Sequence, residues 1–347
     1  MKTSFKADIA ILRLLAIIIV VAFHAYGMCY AEAHLPQPLP KVYQETYEWF
    51  NQYIPINVAM PLFVFVSGYL FGMQLHKGKY LSLWEVAKDK FLRLLVPYYF
   101  FVPIMMATYS GFLLGPYYTG NYWHLWFLPM LWWMFVVTFL LRAIIFSDKK
   151  WILFGLILIS YGCALLGDFR LYLFGLHGFN KLFCYFLLGI AAIKYEELFI
   201  SAIKNYHLFY PLTIVYGVTI IWFPTEYGDM SLALLIGTTC AIIVLWYLFH
   251  IIPWNSFKIT PYLLSVSACS FGIYIFHNWM EVYLISSTAQ RLFPIAEFAS
   301  QHIILFPLLF TIAAFVVSLI LTKLMLKTNI GQMLFGAKRL RLVSCQF

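Results

Sequence analysis

The sequence predicts an all-α polytopic membrane protein: a single domain over residues 1–347, built as a bundle of about ten transmembrane helices with cytoplasmic N- and C-termini. Three observations predict it: the composition, the length of the apolar runs, and the distribution of Lys and Arg between them. The chain is 63% hydrophobic, 20% aromatic and only 11% charged. A soluble domain carries about 25% charged residues, so this chain lacks the polar surface to cover itself in water. Its apolar residues fall in runs of roughly the 20 residues that a helix needs to cross a hydrocarbon core. Lipid offers no partner for backbone N–H and C=O groups, which selects helices over open strands.

The apolar runs are Ile9–Met28, Ile54–Met73, Leu94–Leu114, Trp123–Ile145, Trp151–Leu166, Phe179–Ile193, Phe209–Phe223, Leu232–Phe249, Tyr262–Ile285 and Ile303–Leu326. With the N-terminus inside, 18 Lys and Arg fall in cytoplasmic segments and four (Lys41, Arg170, Lys181, Arg291) fall outside. A miscounted span would scramble this positive-inside alternation. The net charge of +9 therefore reads as membrane orientation, with lipid and not nucleic acid as the partner. Six cysteines lie mostly within apolar runs without metal-ligand spacing, and read as packing residues. The N-terminal run, ending near Ala31-Glu32-Ala33, has the outline of a signal peptide. It carries Arg13 and His24 and precedes many further spans, so it reads as a retained helix. The largest outside loop, Tyr30 to Tyr53, contains Pro36, Pro38 and Pro40. No internal repeat is visible, which weakens an inverted-repeat transporter reading.

Ionisable groups inside a bilayer are costly and mark candidate function. Arg13 and His24 lie eleven residues apart in the first run, about three helical turns or roughly 16 Å, on nearly one face. An anion held at Arg13 could reach a reacting group near His24; the bland alternative is a snorkelling Arg13 and a core histidine. In SFGIYIFHNWMEVY, Tyr274, His277 and Glu281 share one helical stripe. A carboxylate one turn from a histidine can orient it as a base, and equally can be part of a structural cluster. Ser67-Gly68 in mid-span permits close approach of a backbone or ligand, without the setting of a nucleophile elbow. The stretch with Lys77, Lys79, Lys88, Lys90 and Arg93 suits anionic lipid or a phosphate-bearing ligand, with Arg93 offering a forked donor set. In YWHLWFLPMLWW, His124 and Trp126 are candidate contacts to a sugar, within what otherwise reads as an interfacial aromatic belt.

In order, these segments resemble the acyltransferase-3 family of bacterial integral-membrane O-acyltransferases over nearly the whole chain. Carrying the resemblance are Arg13 and His24 at the family's spacing, PLFVFVSGYL, KFLRLLVP, HLWFLP from His124 to Pro129, FLLG ending at Gly189, and SFGIYIFH. Lys90 stands where the family has its first Arg of RxxRLxxP, and it lacks the fork that Arg93 offers for a bidentate phosphate contact. The resemblance implies a stand-alone enzyme of the bacterial cytoplasmic membrane. Its co-substrate would be cytosolic acyl-coenzyme A, usually acetyl, with no permanently bound cofactor. Its acceptor would be a hydroxyl of a surface or exported carbohydrate. It also implies Arg13 at the donor's phosphates and His24 as general base. By chemistry His277 is the second choice of base, and Tyr274 or an amide near Gly68 are candidate oxyanion donors. The rival readings are a transporter or flippase for a lipid-linked glycan and a scaffold in polysaccharide assembly.

Overall fold

The computed structural model describes residues 7–30, 56–110, 114–167, 174–222, 231–284, 295–302 and 304–335. The proline-containing loop after the first run, the signal-like Ala31-Glu32-Ala33, and Lys2, Lys6, Lys41, Arg170, Arg291, Lys338, Arg339 and Arg341 lie outside the described residues. The secondary structure of the described residues is helical. The helices are α1 (Ala7–Tyr30), α2 (Ile56–His76), α3 (Leu83–Lys90), α4 (Val96–Met105), α5 (Gly115–Thr119), α6 (Phe127–Leu140), α7 (Arg142–Ile145), α8 (Lys150–Leu165) and α9 (Phe179–Lys194). They continue with α10 (Glu196–Asn205), α11 (Phe209–Trp222), α12 (Leu232–Ile251), α13 (Thr260–Ala268), α14 (Ser270–Leu284), α15 (Ile295–Gln301), α16 (Leu305–Met325) and α17 (Asn329–Leu334).

Each of the ten apolar runs is mostly helical in its described part. Six segments are long and apolar enough to cross a membrane: Ala7–Gly27, Val58–His76, Leu83–Thr108, Gly115–Leu140, Leu232–Ile251 and Leu305–Met325. The apolar helices α8 and α11 are shorter, with 16 and 14 residues. Their outward faces are nonetheless oily. Trp151, Leu158 and Ile159 on α8, and Tyr210, Ile214, Ile221 and Trp222 on α11, are each more than half exposed. Such faces suit lipid and not water.

The chain divides into two compact units, one of Met1–Met60 with Leu248–Phe347 and one of Pro61–Tyr247. In the first, α1 turns Leu12, Ala16, Ile17, Val21 and Ala25 fully inward and packs on α13, α14 and α16. On α16, Phe306, Phe310, Ala314, Ser318 and Thr322 are buried, while Leu308, Ile312, Val316 and Ile320 face outward. That four-residue spacing is a helix with one face in the bundle and one face available to lipid.

The run Tyr262–Ile285 reads as one continuous span, but the helix breaks at Cys269 (φ −89, ψ −1) between α13 and α14. The Cys269 N–H reaches back only three residues, to the Val266 carbonyl at 2.9 Å. The register across the break is informative. Arg13 on α1 contacts Ser267, and His24 contacts Asn278, so both pairs differ by 254 positions. Eleven residues along one helix thus match eleven along the other. α1 and the α13–α14 rod therefore run parallel, touching at two points about 16 Å apart.

In the second unit, α2 and α9 meet backbone to backbone through two glycines. A Cβ on Gly68 would overlap the Phe186 carbonyl, and a Cβ on Gly189 would overlap the Phe65 carbonyl and the Tyr69 amide. Two of the resembling segments, PLFVFVSGYL and FLLG, are therefore the two halves of one close helix contact. Between α3 and α4 the chain widens to a π-helix over Phe91–Leu95. Pro97 follows; it lacks an N–H and crowds the carbonyl four residues back, which favours such a widening. Helix ends are satisfied by side chains. Lys194 donates to the carbonyls of Ile145 (2.9 Å) and Ser147 (2.8 Å), and Asn180 donates to those of Cys163 and Gly167.

Gly68→Val and Gly189→Val should each lower stability by about 1–3 kcal/mol or more, because neither facing backbone can retract. The two effects should be strongly non-additive, since either substitution alone separates the helices. Thermal unfolding of the purified single and double variants in one detergent tests this; simple additivity would count against a shared contact.

Candidate active site

The first unit brings together five residues that the sequence singles out: Arg13, His24, Tyr274, His277 and Glu281. The lower part is built by the helix break. At Cys269 the Ser267 carbonyl leaves the helical ladder, and Arg13 Nη2 donates to it at 2.7 Å and lies 3.2 Å from Ser267 Oγ. Ser270 Oγ donates to the same carbonyl at 2.7 Å, and Ser267 Oγ donates to the Ala10 carbonyl. Arg13 is thereby clamped by one edge of its guanidinium. Its Nε is buried and has no hydrogen-bond partner. An unmet N–H on a buried guanidinium is costly, so this edge suits an incoming acceptor or anion.

Three turns further along, the His24 ring lies 5.1 Å from the His277 ring, centroid to centroid. His24 Nδ1 is 3.1 Å from the side-chain amide nitrogen of Asn278. Phe23 stands edge-on to His24 at 5.0 Å. His277 is fully buried, with Nδ1 2.7 Å from the Tyr274 carbonyl. A carbonyl only accepts, so Nδ1 carries the proton and neutral His277 keeps its lone pair on Nε2. The Tyr274 ring lies 5.9 Å from His277, and Glu281, one turn on, has no exposed surface. The stripe read from the sequence therefore exists, and it faces α1 at the level of His24.

The other singled-out residues belong to the second unit. Ser67 Oγ donates to the Phe63 carbonyl of its own helix at 2.9 Å, and Gly68 is closed against α9. Lys90 is only 6% exposed. Its ammonium lies over Phe135 at 4.2 Å, over Phe71 at 5.3 Å and over Tyr80 at 5.5 Å, with Asp89 3.8 Å away. That cage satisfies the cation through ring faces and one carboxylate. Arg93 is more open and pairs with Asp89 through Nε at 3.0 Å. His124 is buried next to Trp123, which holds φ +40, and the Trp126 ring stands edge-on to His177 at 5.6 Å.

Three residues that matter to this geometry escape a reading based on helical stripes. Ser267 and Ser270 act through the break at Cys269, which no proline or glycine announces. Asn278 follows His277 directly, so it lies about 100° round the helix, off the Tyr274–His277–Glu281 stripe. A polar side chain inside an apolar run was its available signal.

The chain matches the family model described as an acyltransferase domain over residues 6–323, which includes every side chain described above. No curated protein and no solved structure matches it. With a match over nearly its whole length and several helices apolar enough to cross a bilayer, the chain belongs to the acyltransferase-3 family and is a multi-pass membrane protein.

Proposed function

We propose that the protein is a membrane O-acyltransferase of the bacterial cytoplasmic membrane. It moves an acyl group, in the first instance acetyl, from cytosolic acyl-coenzyme A to a hydroxyl of a surface or exported carbohydrate. The observation that carries this reading is the meeting of His24 with His277 and Asn278 three turns from Arg13, in a chain of an acyltransferase family.

In this mechanism His24 Nε2 takes the proton of the acceptor hydroxyl as its oxygen attacks the thioester carbonyl carbon. The tetrahedral oxyanion collapses, the C–S bond breaks, and the thiolate recovers the proton from the imidazolium. The products are the ester and free coenzyme A, with no net proton change. A positioned base contributes about 10²–10⁴-fold to such a step. Beside it, His277 is the alternative base and Tyr274 a candidate donor to the oxyanion, while Glu281 supports the histidine on its own stripe. Arg13 receives the donor's phosphates through its unmet Nε edge. The roughly 16 Å from Arg13 to His24 suits a donor whose anionic head and acyl carbon are joined by a flexible arm. In the second unit Arg93 is a better phosphate contact than the enclosed Lys90. Ser67 and Gly68 contribute through packing of α2, and His124 and Trp126 remain the proposed acceptor contacts.

The proposal includes ten spans in a single domain, with both termini cytoplasmic. The parallel course of α1 and α14 supports it. Two helices that cross in the same direction need an odd number of crossings between them. The long apolar segments alone supply four there: Val58–His76, Leu83–Thr108, Gly115–Leu140 and Leu232–Ile251. Adding the shorter α8, α9 and α11 supplies seven.

Purified protein in nanodiscs, given acetyl-coenzyme A and extracted surface glycan, should release free thiol in a glycan-dependent way. His24→Ala should cut kcat by about 10²–10⁴-fold with the donor KM little changed. Turnover that survives in His24→Ala would remove His24 as base. No release from acetyl, succinyl or longer donors, with movement of lipid-linked glycan across the bilayer instead, would establish the transporter reading. Arg13→Lys keeps the charge but loses the fork, and should raise the donor KM by about 10- to 100-fold. An unchanged KM would place the phosphates elsewhere.

A further inference from the structure

A histidine that acts as a base must present a lone pair to the hydroxyl, and which nitrogen holds it is set by the partner of the other. In His24, Nδ1 lies 3.1 Å from the side-chain amide of Asn278. The lone pair for the acceptor must then sit on Nε2. A neutral imidazole has one proton, so Nδ1 must carry it, and Nδ1–H requires an acceptor. The carboxamide of Asn278 holds one, Oδ1.

In the structure the amide nitrogen faces His24, and Oδ1 is buried without a hydrogen-bond partner. The two ends of a carboxamide have nearly the same shape and exchange by a half-turn, so their partners decide the orientation. With nitrogen toward His24, Nδ1 would keep the lone pair and Nε2 would be a donor, which is the wrong tautomer for a base. With oxygen toward His24, Nδ1–H is accepted and Nε2 carries the lone pair. His277 already has that tautomer, fixed by the Tyr274 carbonyl, which can only accept. In the orientation seen, one end of the Asn278 amide, Oδ1, is buried and unmet. Such a group is costly, and a substrate atom that paired with it would relieve the cost.

We infer that Asn278 is a positioning residue that turns Oδ1 to the His24 Nδ1–H, and so fixes His24 as an Nε2 base. The inference rests on the acyl-transfer reading for its catalytic meaning. The hydrogen-bond assignment itself is testable without turnover.

The deciding measurement is ring-nitrogen NMR on protein labelled with ¹⁵N-histidine in nanodiscs, above the pH at which imidazole titrates. The His24 signals are those lost in His24→Gln. Protonated Nδ1 with unprotonated Nε2 is expected; protonated Nε2 overturns the proposal even if the protein turns over. Kinetics give a second decision. Asn278→Asp can only accept when ionised, and should keep kcat within about tenfold of wild type. Asn278→Leu should lose about 10²–10³-fold in kcat with the donor KM unchanged. If Asn278→Asp is as inactive as Asn278→Leu while both stay folded, Asn278 donates to His24 and the proposal falls. Should the Leu variant fail to fold, the wild-type and Asp spectra still decide. If no donor is turned over yet Nδ1 is protonated, the acyl-transfer reading fails and the hydrogen bond stands.

Discussion

The first unit depends on the bond from Arg13 to the Ser267 carbonyl. A helix broken inside a membrane leaves carbonyls that lipid cannot satisfy, and each unmet group costs several kcal/mol. Here the break at Cys269 is closed by the Arg13 guanidinium and the Ser270 hydroxyl. The arginine in turn has a reason to be inside an apolar helix, because it meets a concentrated partial negative charge there. Each feature would be expensive alone, and together they are compatible. The bond also fixes the axial register of α1 against α13–α14, and that register brings His24 to Asn278 and His277 eleven residues later.

In the proposed reaction this arrangement separates holding from reacting along one helix. At Arg13 the chemistry is charge and hydrogen-bond donation. At His24 two imidazoles lie with ring centres 5.1 Å apart. In the proposed reaction one proton is taken up and returned at this pair during each turnover. Helix α1 makes the separation rigid, because both side chains are spaced by the fixed rise of a single element.

Much of this was legible in the sequence. Apolar run length gives the helices, and all ten runs are mostly helical where described. The interval between Arg13 and His24, and the stripe Tyr274–His277–Glu281, are consequences of helical period alone, and the structure sets one beside the other. Tertiary events were not legible. The break at Cys269 lies in a run, VSACSFG, with no proline and a glycine only three residues later. Lys90 reads as one of several surface cations, yet Phe71 and Phe135, from distant parts of the chain, fold over it. Asn278 is hidden by its neighbour, because a stripe analysis follows every third or fourth residue and passes over the next one.

The motifs behind the family resemblance also divide by physical role. PLFVFVSGYL and FLLG are a packing pair: Gly68 admits the Phe186 carbonyl and Gly189 admits the Phe65 carbonyl, so each segment makes sense only with the other. SFGIYIFH combines both roles. Gly272 lets Thr322 of α16 approach where a Cβ would collide, and two residues on, the Tyr274 carbonyl takes the His277 Nδ1–H. The face that closes α14 against its neighbour and the carbonyl that sets the histidine's tautomer thus lie within one turn of helix. A substitution that loosened the packing at Gly272 would also move the backbone carbonyl on which the histidine depends. In this short segment, helix packing and the histidine's tautomer both depend on one turn of backbone.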